Sequence, residues 1–152
     1  MTEGADELTH VGEGGNVHMV DVGGKPMSRR RAIARATVNM APETAGMLES
    51  LPKGDALVTA QVAGVMAAKR TSELIPLCHP LPLTQVDVRV VVVADAVEIE
   101  ASAETVAQTG VEMEALVAAT VAALTVYDMA KAVDKSMTIS DVALVEKTKE
   151  PV

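Results

Sequence analysis

Polar and apolar residues alternate in four stretches of the chain, and between these the spacing changes to that of helices. The first clear alternation runs from Ser28 to Met40. Ala32, Ala34, Ala36, Val38 and Met40 fall on one side and Arg31, Ile33, Arg35, Thr37 and Asn39 on the other. This predicts a strand with a core face of mostly small residues and arginines turned to solvent. Val86, Val88, Val90 and Val92 then alternate with Gln85, Asp87 and Arg89. After Ala94-Asp95-Ala96, Val97, Ile99, Ala101 and Ala103 alternate with Glu98, Glu100, Ser102 and Glu104, giving an antiparallel hairpin with one buried face. Met137 and Ile139 open a last strand whose apolar phase slips by one at Ser140-Asp141 before Val142 and Leu144, the mark of a bulge. Ahead of all these, His18 to Val22 is a short apolar run that Gly23-Gly24-Lys25-Pro26 ends.

The helical stretches are punctuated clearly. Pro42 suits the first turn of a short helix that Pro52 ends after Leu51. Asp55 is a good N-cap for a second helix, Ala56 to Lys69, with Leu57, Val58, Val62, Val65 and Met66 among many alanines. Leu74 to Pro82 is too proline-dense for a helix, and the residues before each proline, Ile75, His79 and Leu81, are held extended. Gly110 precedes the longest helix, Val111 to Val133, which holds no Gly or Pro and is apolar nearly all round. Such a helix must be covered on most sides, in a core or at a subunit seam. Its uncharged run, Ala115 to Tyr127, is shorter than the roughly 18–20 residues of a membrane span. The order strand, helices, strand, strand, helix, strand is satisfied by one antiparallel sheet with its helices on one face, a ferredoxin-like α+β two-layer sandwich.

Composition narrows the classes. A chain of 152 residues that is 49% apolar is enough for one core. A mobile segment over 1–16, one domain over 17–148 and a flexible end over 149–152 are expected. A net charge of -8 makes the chain a poor partner for phosphate polymers, and one Tyr with no Trp or Phe leaves no stacking platform, so nucleic acid is not an expected partner. The lone Cys78 excludes an internal disulfide, and no Cys/His spacing makes a structural metal site. Met1 to Gly15 lacks a basic and apolar signal pattern, so the expected compartment is the cytoplasm.

Candidate chemistry sits at the ends of the long helix. Asp128 and Lys131 lie ~60° apart on one face, close enough to touch. On an open surface the pair is worth about 0.3–0.5 kcal/mol. On an apolar surface it is a coupled acid and base, with burial raising the Asp128 pKa and Lys131 lowering it. Glu112 and Glu114 in the first turn suit the positive end of the dipole, as Lys69 suits the negative end of its own helix. Lys53 stands beside a helix start, as a solvent lysine or as a phosphate grip. His79, next to Cys78 on a stiff segment, is either a packed side chain or a polar group fixed against a ligand.

Four uncommon motifs in order, Leu51-Pro-Lys-Gly-Asp55, Leu74-Ile-Pro-Leu-Cys-His-Pro-Leu81, Thr109-Gly-Val-Glu-Met-Glu-Ala-Leu116 and Leu124-Thr-Val-Tyr-Asp-Met-Ala-Lys-Ala-Val133, together resemble the molybdenum cofactor biosynthesis protein C (MoaC) family, as does His18-Met-Val-Asp-Val22. The resemblance implies a lyase that converts 3',8-cyclo-7,8-dihydroguanosine 5'-triphosphate to cyclic pyranopterin monophosphate with loss of diphosphate. By motif position it implies Asp128 and Lys131 as an acid-base pair, with Lys53 and Lys69 as further functional lysines. It implies Leu77, Cys78, His79, Glu112, Met113 and Glu114 as substrate contacts. It points to no single residue among Arg29, Arg30 and Arg31, names no resident cofactor or metal, and leaves open a Mg2+ carried with the triphosphate. It also implies a homohexamer, a trimer of dimers. Glu114 and Asp128 are 14 residues apart (128 − 114), ~21 Å along a helix, so their joint use of one compact substrate requires two copies meeting at a two-fold seam. A competing class is an oligomeric ligand-sensing module. The distinguishing feature is whether Lys53, His79, Asp128 and Lys131 converge on one cleft.

Overall fold

A computed structural model describes residues 9–152. Its elements are β1 (Ser28–Asn39), α1 (Pro42–Ala45), α2 (Ala56–Lys69), α3 (Thr71–Leu74), β2 (Leu83–Val93), β3 (Ala96–Ala107), α4 (Glu112–Ala130) and β4 (Thr138–Pro151). The strands form one sheet in the order β2-β3-β1-β4 with every neighbouring pair antiparallel. This is the expected α+β sandwich, with α2 and α4 layered against the sheet.

The core is made of small residues, and that decides how the layers meet. From β1, Ala32, Ala34, Ala36 and Val38 point inward, joined by Val97, Ile99, Ala101 and Ala103 of β3 and by the alanines of α4 from Ala115 to Ala123. An alanine buries little surface, so stability here depends on close approach of backbones rather than on large side chains. Gly64 marks the tightest point: a Cβ there would lie 2.9 Å from Val88 Cγ2 and 3.0 Å from the Ala118 carbonyl oxygen. α2 therefore presents Ala56, Ala60, Gly64, Ala67 and Ala68 to the core and leaves Val58, Val62 and Met66 roughly half exposed. Leu57 and Val65 pack against the core from its edge, and the small side of α2 faces α4. By length and apolarity α4 would suffice to cross a membrane. Here it is a core helix, with Ala115, Val117, Ala118, Ala119, Ala122, Ala123 and Val126 all buried.

Other departures have local causes. His18 to Val22 forms no strand; it crosses the cavity described below, and Val11 bridges to Val17 instead. The part of the expected mobile segment over residues 1–8 lies outside the described residues. α1 stops at Ala45 because Gly46 follows, and hydrogen-bonded turns continue to Ser50. α4 stops at Ala130, where the Val133 and Asp134 amides both close on the Ala130 carbonyl, one turn short of the expected end. β4 runs to Pro151, opposite Ser28, past the expected domain end at 148. The expected bulge is present: Asp141 and Val142 oppose Ala36 alone, with Asp141 at φ +55°, and Val145 is a second extra residue between Ala34 and Ile33. The outer-face arginines are paired, Arg31 with Glu104 and Glu146 and Arg35 with Glu100 at 2.8 Å.

Candidate active site

At the C-terminal end of α4, Asp128 is bracketed by two ammonium groups. Lys131 Nζ is 3.0 Å from Asp128 Oδ1, and Lys53 Nζ is 3.1 Å from Oδ2 and donates also to the Asp128 carbonyl at 3.1 Å. Lys53 arrives from 75 residues away on a loop built to hold still. The Gly54 amide closes on the Leu51 carbonyl at 2.9 Å, at a backbone φ of +116° that favours glycine. Asp55 then caps α2 by accepting from the Leu57 and Val58 amides. All three charged side chains are roughly half exposed. The hydrogen bonds from Lys131 and then Lys53 hold the Asp128 pKa below the ordinary carboxylate range. The expected upward push from an apolar setting is outweighed, because the carboxylate meets water and cations rather than hydrocarbon. Asp128 is thus held as a carboxylate with the Lys53 and Lys131 side chains in contact.

A second constellation lies at the N-terminal end of α4, around a cavity of about 410 Å³. Leu77, Cys78 and His79 form one wall and Glu112, Met113 and Glu114 another. Residues 9–25 close it, bringing His10 and Lys25 to the rim. His79 Nε2 lies 2.6 Å from the Val20 carbonyl oxygen. A carbonyl only accepts, so Nε2 carries hydrogen and, in the neutral ring, Nδ1 is the acceptor. Glu114 is 4% exposed, and burial raises its pKa. Burial, and then the Glu114 charge, push the Cys78 thiol up, away from the thiolate form.

Sequence patterns did not single out two cations that border this region. Lys147 Nζ of β4 is 2.9 Å from Glu112 Oε1, and Arg30, whose Nε donates to Ser28 Oγ at 2.6 Å, lines with Lys147 a cavity of about 260 Å³ beside Gly110 and Val111. Lys147 was hidden because it lies past the strand's last legible alternation. Arg30 was hidden among three consecutive arginines, of which the alternation places Arg31 on the outer face. Lys69, at the C-terminal end of α2, borders a separate groove with Leu81 and Leu83 and is not brought to Lys53. Within one chain Lys53, Asp128 and Lys131 converge, and His79 stands with Glu114 at the far end of α4. Among the described residues no cluster of His, Cys, Asp and Glu is arranged to hold a metal ion.

The MoaC family model matches residues 19–150. A cyclic pyranopterin monophosphate synthase of Thermomicrobium roseum is 59% identical over 145 residues, covering 93% of this chain and 87% of that protein. The one of Roseiflexus castenholzii is 56% identical over 146 residues, covering 93% and 92%, and that of Oleidesulfovibrio alaskensis 58% over 145, covering 93% and 91%.

Proposed function

This chain belongs to the MoaC family, and from that premise we propose how its two constellations divide the work of one reaction. Its activity is that of a cyclic pyranopterin monophosphate synthase, an enzyme of molybdenum cofactor biosynthesis. The reaction we assign takes 3',8-cyclo-7,8-dihydroguanosine 5'-triphosphate to cyclic pyranopterin monophosphate and diphosphate. Opening the five-membered ring and reclosing it as a pterin demands protons delivered and removed at ring nitrogens. Closing the cyclic phosphate has a sugar hydroxyl oxygen attack the α-phosphorus. Its proton passes to a base, and the bond to the departing diphosphate breaks, leaving charge that needs cations.

The observation that carries this reading is the Lys53–Asp128–Lys131 bracket, a base and two acids within 3.1 Å in a solvent-open position. Asp128 takes protons, Lys131 returns them, and Lys53 holds phosphate or leaving-group charge. Leu77, Cys78, His79, Met113 and Glu114 grip the base and sugar, with Glu112 paired to Lys147 and Arg30 nearby as further cations for phosphate. Lys69, on its separate groove with Leu81 and Leu83, is assigned as a further substrate contact. The reading calls for no resident cofactor and is compatible with a Mg2+ arriving on the triphosphate.

We further propose that the complete site lies between two copies in a homohexamer, a trimer of dimers. The outward side of α4 supports this: Leu124 is 52% exposed, and Thr120 and Val121 are half-buried midway between the two constellations. A two-fold passing there would set the Glu114 end of one helix against the Asp128 end of its partner. We place the reaction in the cytoplasm, which suits an unpaired Cys78. The test is to incubate the protein with the cyclised triphosphate and follow cyclic pyranopterin monophosphate and diphosphate. Asp128→Asn and Lys131→Met are each expected to abolish turnover with folding unchanged. Near-normal turnover in either overturns the acid-base assignment.

A further inference from the structure

Asp134 is a charged residue buried to 7% exposure just beyond α4, and it contacts none of the groups assigned to substrate. Its carboxylate accepts four hydrogen bonds. Oδ1 takes the Ser136 amide at 2.7 Å and the Ser136 hydroxyl at 2.6 Å, both within its own turn. Oδ2 takes the Ala41 amide at 2.9 Å and the Thr44 hydroxyl at 2.8 Å, 93 and 90 residues away at the start of α1. From Ala41 onward the chain is one hydrogen-bonded unit. Thr44 receives the Met47 amide, Met47 receives Ser50, Leu48 receives Ala56 and Leu51 receives Gly54, with Leu48 and Leu51 buried beneath. Lys53 rides on that unit. On the other side, the Asp134 amide bonds to the Ala130 carbonyl at 3.1 Å and the Lys131 amide to that of Tyr127 at 2.9 Å, so Asp134 is continuous with the turn that presents Asp128 and Lys131.

We infer that Asp134 is a positioning residue: through Oδ2 it fixes the Lys53-bearing unit against the end of α4, and so sets the Lys53–Asp128–Lys131 geometry. The two oxygens accept two bonds each but do different jobs. Oδ1 shapes a local turn, whereas Oδ2 ties two distant segments together. Misplacement of a reacting group by about 1 Å costs on the order of 100-fold in rate, so cutting the tie lowers turnover without removing any substrate contact.

This inference rests on the assignment of Lys53, Asp128 and Lys131 above, and the experiment separates the two. Thr44→Val removes one of the two Oδ2 bonds, leaving that from the Ala41 amide, and keeps volume, Thr44→Ser keeps the hydroxyl, and Ser136→Ala removes the one hydroxyl bond to Oδ1. With the cyclised triphosphate as substrate, Thr44→Val is expected to lose about 10- to 100-fold in kcat with KM changed less than about 3-fold. Thr44→Ser should recover most of that loss, and Ser136→Ala should keep kcat within about 2-fold despite a comparable fall in Tm. If Thr44→Val is recovered unfolded, Asp134→Asn, which retains volume but loses the charge, replaces it with the same expected split. If activity follows Tm alike in the Thr44 and Ser136 variants, or if Thr44→Val keeps normal kcat, Asp134 is only structural and the inference is overturned. Full activity in Asp128→Asn would overturn the assignment beneath it instead.

Discussion

Mixing two inactive chains tests whether the site is shared between copies. One chain carries Glu114→Ala with His79→Ala, which empties the constellation at the start of α4. The other carries Asp128→Asn with Lys131→Met, which empties the one at its end. The two constellations sit 14 residues apart on a continuous helix, ~21 Å at ~1.5 Å per residue, too far for one compact substrate. In a hetero-dimer with shared sites, one site joins both damaged ends and is dead, while the other joins both intact ends. Random exchange makes half of all dimers hetero-dimers, each with one good site in two, so about a quarter of normal turnover returns. The assay is product formation after reversible dissociation, with exchange verified by native mass spectrometry. Verified exchange with no recovered turnover would mean that each site is built from one chain, and the seam along Thr120, Val121 and Leu124 would need another explanation.

Lys53→Ala is expected to weaken binding of a triphosphate substrate strongly and of an analogue without the triphosphate hardly at all, read by calorimetry; equal losses would place Lys53 near the base or sugar. Gly64→Ala forces a Cβ against the Ala118 carbonyl and Val88, a strain of about 1–3 kcal/mol that the ~1 kcal/mol helix gain of Ala over Gly offsets in part, so denaturant unfolding should read a net loss of up to about 2 kcal/mol. Burial raises the Glu114 pKa, so the folded state holds this proton more tightly than the unfolded chain. Stability from this group is complete below the unfolded carboxylate value and is lost as pH rises through the folded one. Glu114→Gln should therefore be more stable than the parent at neutral pH and flatten that part of the stability profile, measured by thermal unfolding across the range.

Much of the fold was legible because its strands alternate cleanly and its helices are well punctuated: β1, the β2–β3 hairpin, α2 and the bulge at Asp141 all fall where the pattern puts them. The orientation of α2 was not legible, because hydrophobicity ranks Val58, Val62 and Met66 above Ala60 and Gly64, whereas the packing selects for size. In the site, the Asp128–Lys131 pair follows from helical spacing. The third member of the bracket, Lys53, is a contact across 75 residues that no local period encodes. The same holds for Val20 over His79 and Lys147 on Glu112, whose partners meet only when an irregular strap and the far end of β4 are in place.

β4 has one further consequence. It forms a rim of the sheet, and a regular strand of its 14 residues would offer an unbroken row of free amides and carbonyls on which other extended chains could grow. The extra residues at Asp141–Val142 and at Val145 break that row twice, and the stretch beyond carries Glu146, Lys147, Lys149 and Glu150. Irregularities that shift the register of β4 against β1 on its inner side therefore deny fibrils a template on the outer one.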